Sequence, residues 1–227
     1  MKYLICLDLD GTTLNSNGKL NSETVDYIKK IKNDHIVCIV TGRPLRTSIQ
    51  FYNEFGLDTV ICNYNGTKLS NPVDRNFVES SFCINLDELK QFYDIFNEDI
   101  YDISLESGEQ VYTVKETEIF NDWGTAKKNI IKMQDVNFAP NGVVLLLHDD
   151  RVYEAYEHFI NRESTIGMRT WKGSQIKNYT ICEIYSLLAD KGTAIEFLKQ
   201  YWAIFSTDSS LNPIDSHLEI YVSTILS

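Results

Sequence analysis

The sequence predicts an α/β protein with a core of parallel strands and intervening helices, into which an α+β domain is inserted. In the first part of the chain, short apolar runs typical of strands covered on both faces alternate with amphipathic helices. Strands separated by single helices imply parallel pairing with right-handed crossovers. After about Phe82 the pattern changes to strands that alternate around tight turns, and this change predicts the insertion.

The first part of the core contains five predicted elements. The strands are Tyr3–Leu7, His35–Val40 and Thr59–Cys62, and the helices are Ser22–Asn33 and Arg46–Phe55. Asn21 is the predicted N-cap of the first helix, and Gly56 the residue that ends the second. Asn65-Gly66 then predicts a tight turn of the hairpin type.

The inserted domain is predicted to span residues 83–185, between core segments 1–82 and 186–227. Its helices are Asn85–Phe96 and Val152–Asn161, and its strands are Tyr101–Glu106, Gln110–Val114, Val143–His148 and Tyr179–Tyr185. A helix at Lys191–Trp202 then resumes the core. The tail, residues 203–227, is rich in Ser and Thr and has one brief apolar stretch, Leu218–Val222, so no element is predicted there.

Composition and charge exclude several classes of function. The net charge of −11 repels nucleic acid and anionic lipid, so neither a nucleic-acid nor a membrane partner is expected. The apolar runs are too short to span a bilayer, and the apolar amino terminus runs directly into Asp8 and Asp10 without a cleavage site. The five cysteines are odd in number and lack CxxC pairing. We therefore expect a cytoplasmic protein with reduced, buried cysteines.

The strongest chemical signal is Asp8-Leu9-Asp10-Gly11-Thr12, which directly follows the first predicted strand. Ligands of open α/β sheets bind at the carboxyl ends of strands. Two carboxylates so close together repel each other, and a magnesium ion, which prefers carboxylate oxygens, would compensate for this. Asp-Gly is also a common turn dipeptide, but a buried strand ending in two acids favours the magnesium site over a simple surface turn.

The pentapeptide is similar to the first motif of the haloacid-dehalogenase-like hydrolases, and three further segments extend the resemblance. Thr41-Gly42-Arg43-Pro44 resembles the second motif of the Cof-type sugar-phosphatase branch. Asn63-Tyr64-Asn65-Gly66 resembles that branch's turn after the third strand, and Asp190-Lys191-Gly192-Thr193 its third motif. The resemblance covers residues 1 to about 202. It implies a Rossmann-like core, an inserted α+β cap domain and a magnesium cofactor.

The resemblance also implies a role for each matching residue. Asp8 would attack phosphorus as the nucleophile, and Asp10 would protonate the leaving alcohol and then activate water. Magnesium would be held by the Asp8 carboxylate and the Asp10 carbonyl. Phosphate oxygens would be held by Thr12, Thr41, Gly42 and Lys191, and Lys191 would also offset the negative charge of Asp8 and of the phosphate as a compact cation. Taken alone, Thr41-Gly42 could merely end a strand and Lys191 could merely start a helix, so it is their order behind Asp8 that carries the assignment.

The tail departs from the family pattern. The fourth motif, a Gly-Asp followed by Asn-Asp that completes the magnesium shell, is missing after Trp202. Asp208 and Asp215 are nearby acids that could substitute for it, although for Asp208 this would require Ala203–Phe205 to be a strand. We hypothesise that the tail, residues 203–227, is not family sequence and that a frameshift or early stop truncated the gene. The core would then be incomplete at its carboxyl-terminal end.

Three functions follow from these observations. The first is a magnesium-dependent phosphatase acting on a small phosphorylated metabolite, either a sugar phosphate or a nucleotide. A phosphomutase of the same architecture is an alternative that the sequence does not separate from it. The third is a catalytically weak or inactive member that at most binds phosphate. In the cap, Trp123, Trp171 and Lys172 could line a substrate pocket, pack in the core or be exposed by chance.

Overall fold

The computed structural model describes residues 2–120, 128–160, 163–171, 176–206 and 220–222, the backbone alone for 203–206 and 220–222. The chain divides into two compact units. We call Met1–Ser81 with Ala189–Ser227 the core unit and Phe82–Leu188 the inserted unit. The boundaries predicted from the sequence lay after residues 82 and 185. No helix in the described ranges is both long and apolar enough to cross a membrane.

The core unit contains six strands and three helices among its described residues. The strands are β1 (Leu4–Leu7), β2 (Ile36–Ile39), β3 (Ile61–Asn63), β4 (Lys68–Ser70), β5 (Ser80–Ser81) and β12 (Ile220–Val222). The helices are α1 (Ser22–Ile31), α2 (Leu45–Phe55) and α5 (Lys191–Ser206). Asn21 caps α1 by accepting the Glu23 N–H, and Gly56 ends α2 at φ 65°, which confirms both predicted helix boundaries.

The parallel sheet of the core unit has the order β12–β1–β2. β3 lies beside β2 through a parallel bridge between Val40 and Cys62. Side chains alternate between the two faces of this sheet, as the apolar strand sequences predict. One face packs against α1 and α2 and includes Leu7, Val37 and Ile39. The other packs against α5 through Ala194 and Leu198.

The tail contains two elements where the sequence predicted none. Ala203–Phe205 is not a strand, because α5 continues through Ser206. The brief apolar stretch near residue 220 forms β12 instead, which pairs in parallel with β1 from Leu4↔Ile220 to Cys6↔Val222. β1 is therefore flanked by a parallel strand on each side. Asp208 and Asp215 lie outside the described residues.

The inserted unit is an α+β domain. Its sheet has the order β10–β11–β9–β6–β7–β8, antiparallel throughout except for the parallel β7–β8 pair. The strands are β6 (Ile100–Ser107), β7 (Gln110–Thr113), β8 (Lys128–Ile130), β9 (Gly142–His148), β10 (Ile166–Trp171) and β11 (Tyr179–Ser186). Helices α3 (Leu86–Phe96) and α4 (Val152–Ile160) pack on one face of this sheet around Phe92 and Phe159. The predicted β6–β7 hairpin is confirmed.

Candidate active site

The backbone that follows β1 turns back around Asp8. The N–H and hydroxyl of Thr13 both donate to the Asp8 carbonyl, at 3.3 and 2.5 Å. Gly11 lies at φ 72°, a left-handed conformation that favours glycine. Buried Leu9 anchors the turn in the hydrophobic core of the unit. As a result, the carboxylates of Asp8 and Asp10 both lie at the carboxyl end of β1 and are partly open to solvent.

The Asp8 carboxylate is paired with a lysine from the far end of the chain. Lys191 Nζ lies 2.7 Å from Asp8 Oδ1, and the two side chains are 37 % and 33 % exposed. The Thr12 hydroxyl donates a long hydrogen bond of 3.4 Å to Asp8 Oδ2. Three of the residues predicted from the sequence are therefore in direct contact, with the lysine charge offsetting that of the carboxylate.

The position of Lys191 depends on the residue before it. Asp190 Oδ1 accepts the Thr193 N–H at 2.7 Å, and the Thr193 hydroxyl accepts the Asp190 N–H at the same distance. Hydrogen bonding by the Thr193 N–H lowers the pKa of Asp190. The turn after β3 packs against this point so closely that a Cβ atom on Gly66 would lie 2.0 Å from the Asp190 carbonyl oxygen. A glycine is needed there for Lys191 to reach its position.

Thr41 and Gly42 lie at the end of the strand next to β1. The Val40 N–H donates to the Leu7 carbonyl at 2.9 Å, so the residues that follow β1 and β2 start side by side. Thr41 is buried, and its hydroxyl accepts the Arg43 N–H at 3.1 Å, whereas Gly42 is exposed. Within the described ranges Thr41 makes no hydrogen bond to Asp8. Strand pairing, rather than direct contact, brings these two residues to the edge of the sheet where Asp8 lies.

Arg43 lies at the same site, although its sequence motif alone assigned it no role. Its guanidinium holds the Asp10 carboxylate through two bonds, Nε to Oδ2 at 2.8 Å and Nη2 to Oδ1 at 2.6 Å. Hydrogen bonding to Asp10 raises the pKa of Arg43. The sequence did contain one signal for this contact. Arg43 follows the second predicted strand, and Asp8 and Asp10 follow the first, so parallel pairing of the two strands brings the cation near the acids. Each carboxylate at the end of β1 therefore has its own basic partner.

The oxygen donors at this edge are of the type that magnesium binds. The Asp8 carboxylate and the Asp10 carbonyl are hard oxygen ligands, and magnesium in proteins often takes only one or two carboxylates and keeps several waters. Within the described parts of the chain, no group of three or more His, Cys, Asp or Glu side chains could hold a metal ion. The donor set thus fits a magnesium ion that retains water ligands.

Of the three candidate pocket residues in the inserted unit, the structure describes only Trp171. Trp171 is 45 % exposed, so it does not pack in the core. Its indole N–H donates to Glu183 Oε2 at 3.0 Å, on the carboxylate that also forms two hydrogen bonds with Arg169. Trp123 and Lys172 lie outside the described residues. The contacts of Trp171 thus leave it on the surface of the sheet.

A family model and curated relatives match this chain. Residues 5–209 match the family model described as haloacid dehalogenase-like hydrolase. A presumed phosphatase of Metamycoplasma hominis is 28 % identical over 221 residues, which cover 92 % of this chain and 78 % of that protein. The 5-amino-6-(5-phospho-D-ribitylamino)uracil phosphatase YitU of Bacillus subtilis is 42 % identical over 94 residues, 41 % of this chain and 35 % of that protein.

Solved structures share the fold. A haloacid dehalogenase-like hydrolase from Bacteroides thetaiotaomicron superposes with a TM-score of 0.72 at 16 % identity, covering 89 % of this chain and 77 % of that one. At this level of identity the match concerns the fold, which is a mixed α/β architecture with a central sheet and helices.

Proposed function

Because the chain belongs to the haloacid dehalogenase-like hydrolase family, we propose that it is a magnesium-dependent phosphatase acting through an aspartyl-phosphate on Asp8. The substrate class is a small phosphorylated metabolite, either a sugar phosphate or a nucleotide. The observation that carries the proposal is the Asp8 carboxylate at the end of β1, 2.7 Å from the ammonium of Lys191. This arrangement supplies a nucleophile beside a fixed positive charge, which phosphoryl transfer requires.

In the first step an Asp8 carboxylate oxygen attacks phosphorus, and the bond between phosphorus and the ester oxygen breaks. The departing oxygen takes a proton from the Asp10 carboxyl group and leaves as the alcohol. Lys191 balances the charge of Asp8 and of the transferred group as a compact cation. The products of this step are the free alcohol, the phosphorylated Asp8 side chain and the Asp10 carboxylate.

In the second step water attacks the phosphorus atom of the aspartyl-phosphate. Asp10 takes a proton from that water, and the bond between phosphorus and the Asp8 oxygen breaks. Inorganic phosphate leaves, and both carboxyl groups return to their starting protonation states. During both steps the Thr12 and Thr41 hydroxyls and the Gly42 N–H would hold the phosphate oxygens.

Magnesium would be held by the Asp8 carboxylate and the Asp10 carbonyl. When bound, it would neutralise negative charge on the transferring phosphoryl group. The free protein already matches each carboxylate at this edge with a cation, Lys191 for Asp8 and Arg43 for Asp10.

The inserted unit is assigned in this proposal to the role of a cap that selects the substrate and excludes water. The names of the relatives support the substrate class, since YitU acts on a phosphorylated ribityl compound. A cytoplasmic location belongs to the same proposal. It is supported by the five cysteines, all described in the structure, none of which forms a disulfide.

The test is turnover of an aryl phosphate and of a panel of sugar phosphates and nucleotides, with magnesium and with a chelator. We expect release of inorganic phosphate with magnesium only. Acid-quenched enzyme analysed by mass spectrometry should carry a phosphoryl group on the peptide that contains Asp8. Phosphate release without that modified peptide would contradict the covalent route. Transfer of the phosphoryl group to a second sugar rather than to water would indicate a phosphomutase, and no turnover would indicate an inactive member.

A further inference from the structure

The contact between Arg43 and Asp10 has a geometry that the contact between Lys191 and Asp8 lacks. Arg43 uses two nitrogens against both carboxylate oxygens of Asp10, at 2.8 and 2.6 Å. The planar guanidinium therefore fixes the plane and direction of the carboxylate as well as its distance. Lys191 contributes one ammonium nitrogen at 2.7 Å from one oxygen of Asp8, which offsets charge without fixing the plane.

The backbone of Arg43 is itself held by the neighbouring strand. Its carbonyl accepts the Asn63 side-chain amide at 2.8 Å and the Tyr64 N–H at 3.3 Å. Asn63 is buried and also donates to Ser48 Oγ at 2.9 Å. The Arg43 guanidinium carbon lies 5.4 Å from the ring centroid of Phe51. Arg43 thus extends from a rigid base on β3 and α2.

Asp10, by contrast, belongs to a turn that depends on Gly11 at φ 72°. Its side chain is 57 % exposed, against 27 % for that of Arg43. A short carboxylate on a solvent-exposed turn would sample several rotamers unless another group restrained it. The only side chain that hydrogen-bonds the Asp10 carboxylate within the described ranges is Arg43.

We propose that Arg43 is the positioning residue for Asp10, orienting its carboxyl group for proton transfer. This inference rests on the proposed function, in which Asp10 protonates the departing oxygen. Proton transfer depends on reach and alignment, so a misdirected Asp10 would slow the reaction although its carboxyl group is still present. Arg43 acts through Asp10 and needs no contact with the substrate.

Two classes of phosphate ester differ in how much their leaving groups need the proton from Asp10. A departing phenolate such as 4-nitrophenolate is a stable anion and needs little help from an acid, whereas a departing sugar alkoxide needs the proton. Loss of orientation at Asp10 should therefore lower kcat/KM for an alkyl phosphate far more than for 4-nitrophenyl phosphate. A general loss of folding or of phosphate binding would lower both equally.

The experiment compares Arg43→Met and Arg43→Lys with wild type and with Arg75→Met, which removes an exposed guanidinium elsewhere in the core unit. For Arg43→Met we expect kcat/KM for a sugar phosphate to fall about 10–100-fold, a share of the usual acid–base contribution, with a change under about 3-fold for the aryl ester. The kcat/KM of Arg43→Lys for the sugar phosphate should lie between those of Arg43→Met and wild type, because lysine keeps the positive charge but cannot donate two parallel hydrogen bonds to the carboxylate. Arg75→Met should match wild type. Equal losses on both esters would overturn the proposal.

The Asp10→Asn background provides a second arm. If Arg43 acts only through Asp10, adding Arg43→Met to Asp10→Asn should not lower the residual ratio of alkyl to aryl turnover any further. A further fall in that ratio would assign Arg43 a separate role and contradict the inference.

A third arm does not depend on activity. In protein labelled with ¹³C at aspartate carboxyl groups, the Asp10 resonance is the one that Asp10→Asn removes. We expect this resonance to shift in Arg43→Met and to stay in place in Arg75→Met. An unmoved resonance would overturn the positioning role. If wild type turned over neither ester, the proposed phosphatase function would fail, while this spectrum would still decide whether Arg43 holds Asp10.

Discussion

Acidic side chains have different surroundings in the two units. In the core unit Asp8 and Asp10 are 33 % and 57 % exposed, and basic side chains face them. In the inserted unit Asp102 is fully buried and accepts the backbone N–H groups of Ile103 and Lys115, at 2.8 and 3.1 Å, and the hydroxyl of Thr117. A buried acid whose carboxylate accepts hydrogen bonds from backbone and hydroxyl groups of its own unit stabilises the fold. In the proposed function, the partly exposed acids of the core unit, each paired with one basic side chain, are the ones available for chemistry.

The largest effect is expected at the end of β1. Asp8→Asn keeps the shape of the side chain and removes the attacking charge, so phosphatase activity should fall by about 10³-fold or more. Because Asp8 is partly exposed, the unfolding midpoint should change little. Asp26→Asn, on the exposed side of α1, is the matched control and should match wild type in both assays. Substantial activity in Asp8→Asn would remove Asp8 as the nucleophile.

A second prediction compares two glycines with positive φ, one in each unit. Gly66→Ala in the core unit would place a Cβ atom 2.0 Å from the Asp190 carbonyl, so Lys191 must shift and about 3 kcal/mol or more of stability should be lost. Gly108→Ala, in the β6–β7 turn, has nothing within 4 Å of the added atom and should cost only its backbone strain, about 1–2 kcal/mol. Urea unfolding and phosphatase assays on both variants measure the difference. Equal costs would show that the close approach at Gly66 is unimportant.

The third prediction concerns the buried acid. Asp102→Ala leaves three donors without their acceptor, so the free energy of unfolding should fall by roughly 2–4 kcal/mol. Asp94→Ala, on the exposed face of α3, should change it by less than about 0.5 kcal/mol. Urea denaturation followed by far-UV circular dichroism provides the comparison. If both variants unfolded alike, the contrast between structural and available acids would not hold.

The smallest effect is a dependence of stability on pH at Glu88. Partial burial opposes ionisation there, but hydrogen bonds from Ser164 and Thr165 prevail and lower the pKa of Glu88 below its ordinary 4.5. The folded state therefore favours the Glu88 carboxylate. The contribution of this carboxylate to the free energy of unfolding is complete above pH 4.5 and is lost as the pH falls through the lowered pKa of the folded state. The stability difference between wild type and Glu88→Gln should be on the order of a few tenths of a kcal/mol and should shrink below that pH. Urea midpoints between about pH 3 and 6 test this, and a constant difference would refute it.

Local signals in the sequence identified most of the core. Apolar runs located β1 and β2, and residues with specific backbone roles, Asn21 and Gly56, located the ends of α1 and α2. β8 and β10 were missed because Lys128–Ile130 is largely polar and Ile166–Trp171 contains Gly167 and Arg169, so neither shows clean alternation. A strand at Ala203–Phe205 would bring Asp208 to the metal site, but no strand pattern predicts one there, and α5 continues through Ser206.

Contacts between long side chains could not be predicted from the spacing of residues in the sequence. The Asp8–Lys191 pair was expected only through the family motifs, since 183 residues separate the two in the chain. The fork between Arg43 and Asp10 depends on rotamers and on the Asn63 contact that anchors the Arg43 backbone. The spacing of residues in the sequence predicts neither the Asp8–Lys191 contact nor the Arg43–Asp10 contact. The residues at the end of β1 could be predicted because a strand delivers them to a sheet edge. Lys191 could be reached only through the family motifs, and the contact of Arg43 with Asp10 was not predicted.

The buried cysteines give each unit its own chemical reporter. Cys6, Cys38 and Cys62 lie on the core strands, and Cys182 lies on β11. Burial raises the pKa of Cys62 and of Cys182 to about 12, so little thiolate forms at these two residues at neutral pH. An alkylating reagent therefore modifies either of these two thiols only while the unit around it is open. Pulsed labelling read by mass spectrometry would record which unit opens first, without any introduced probe.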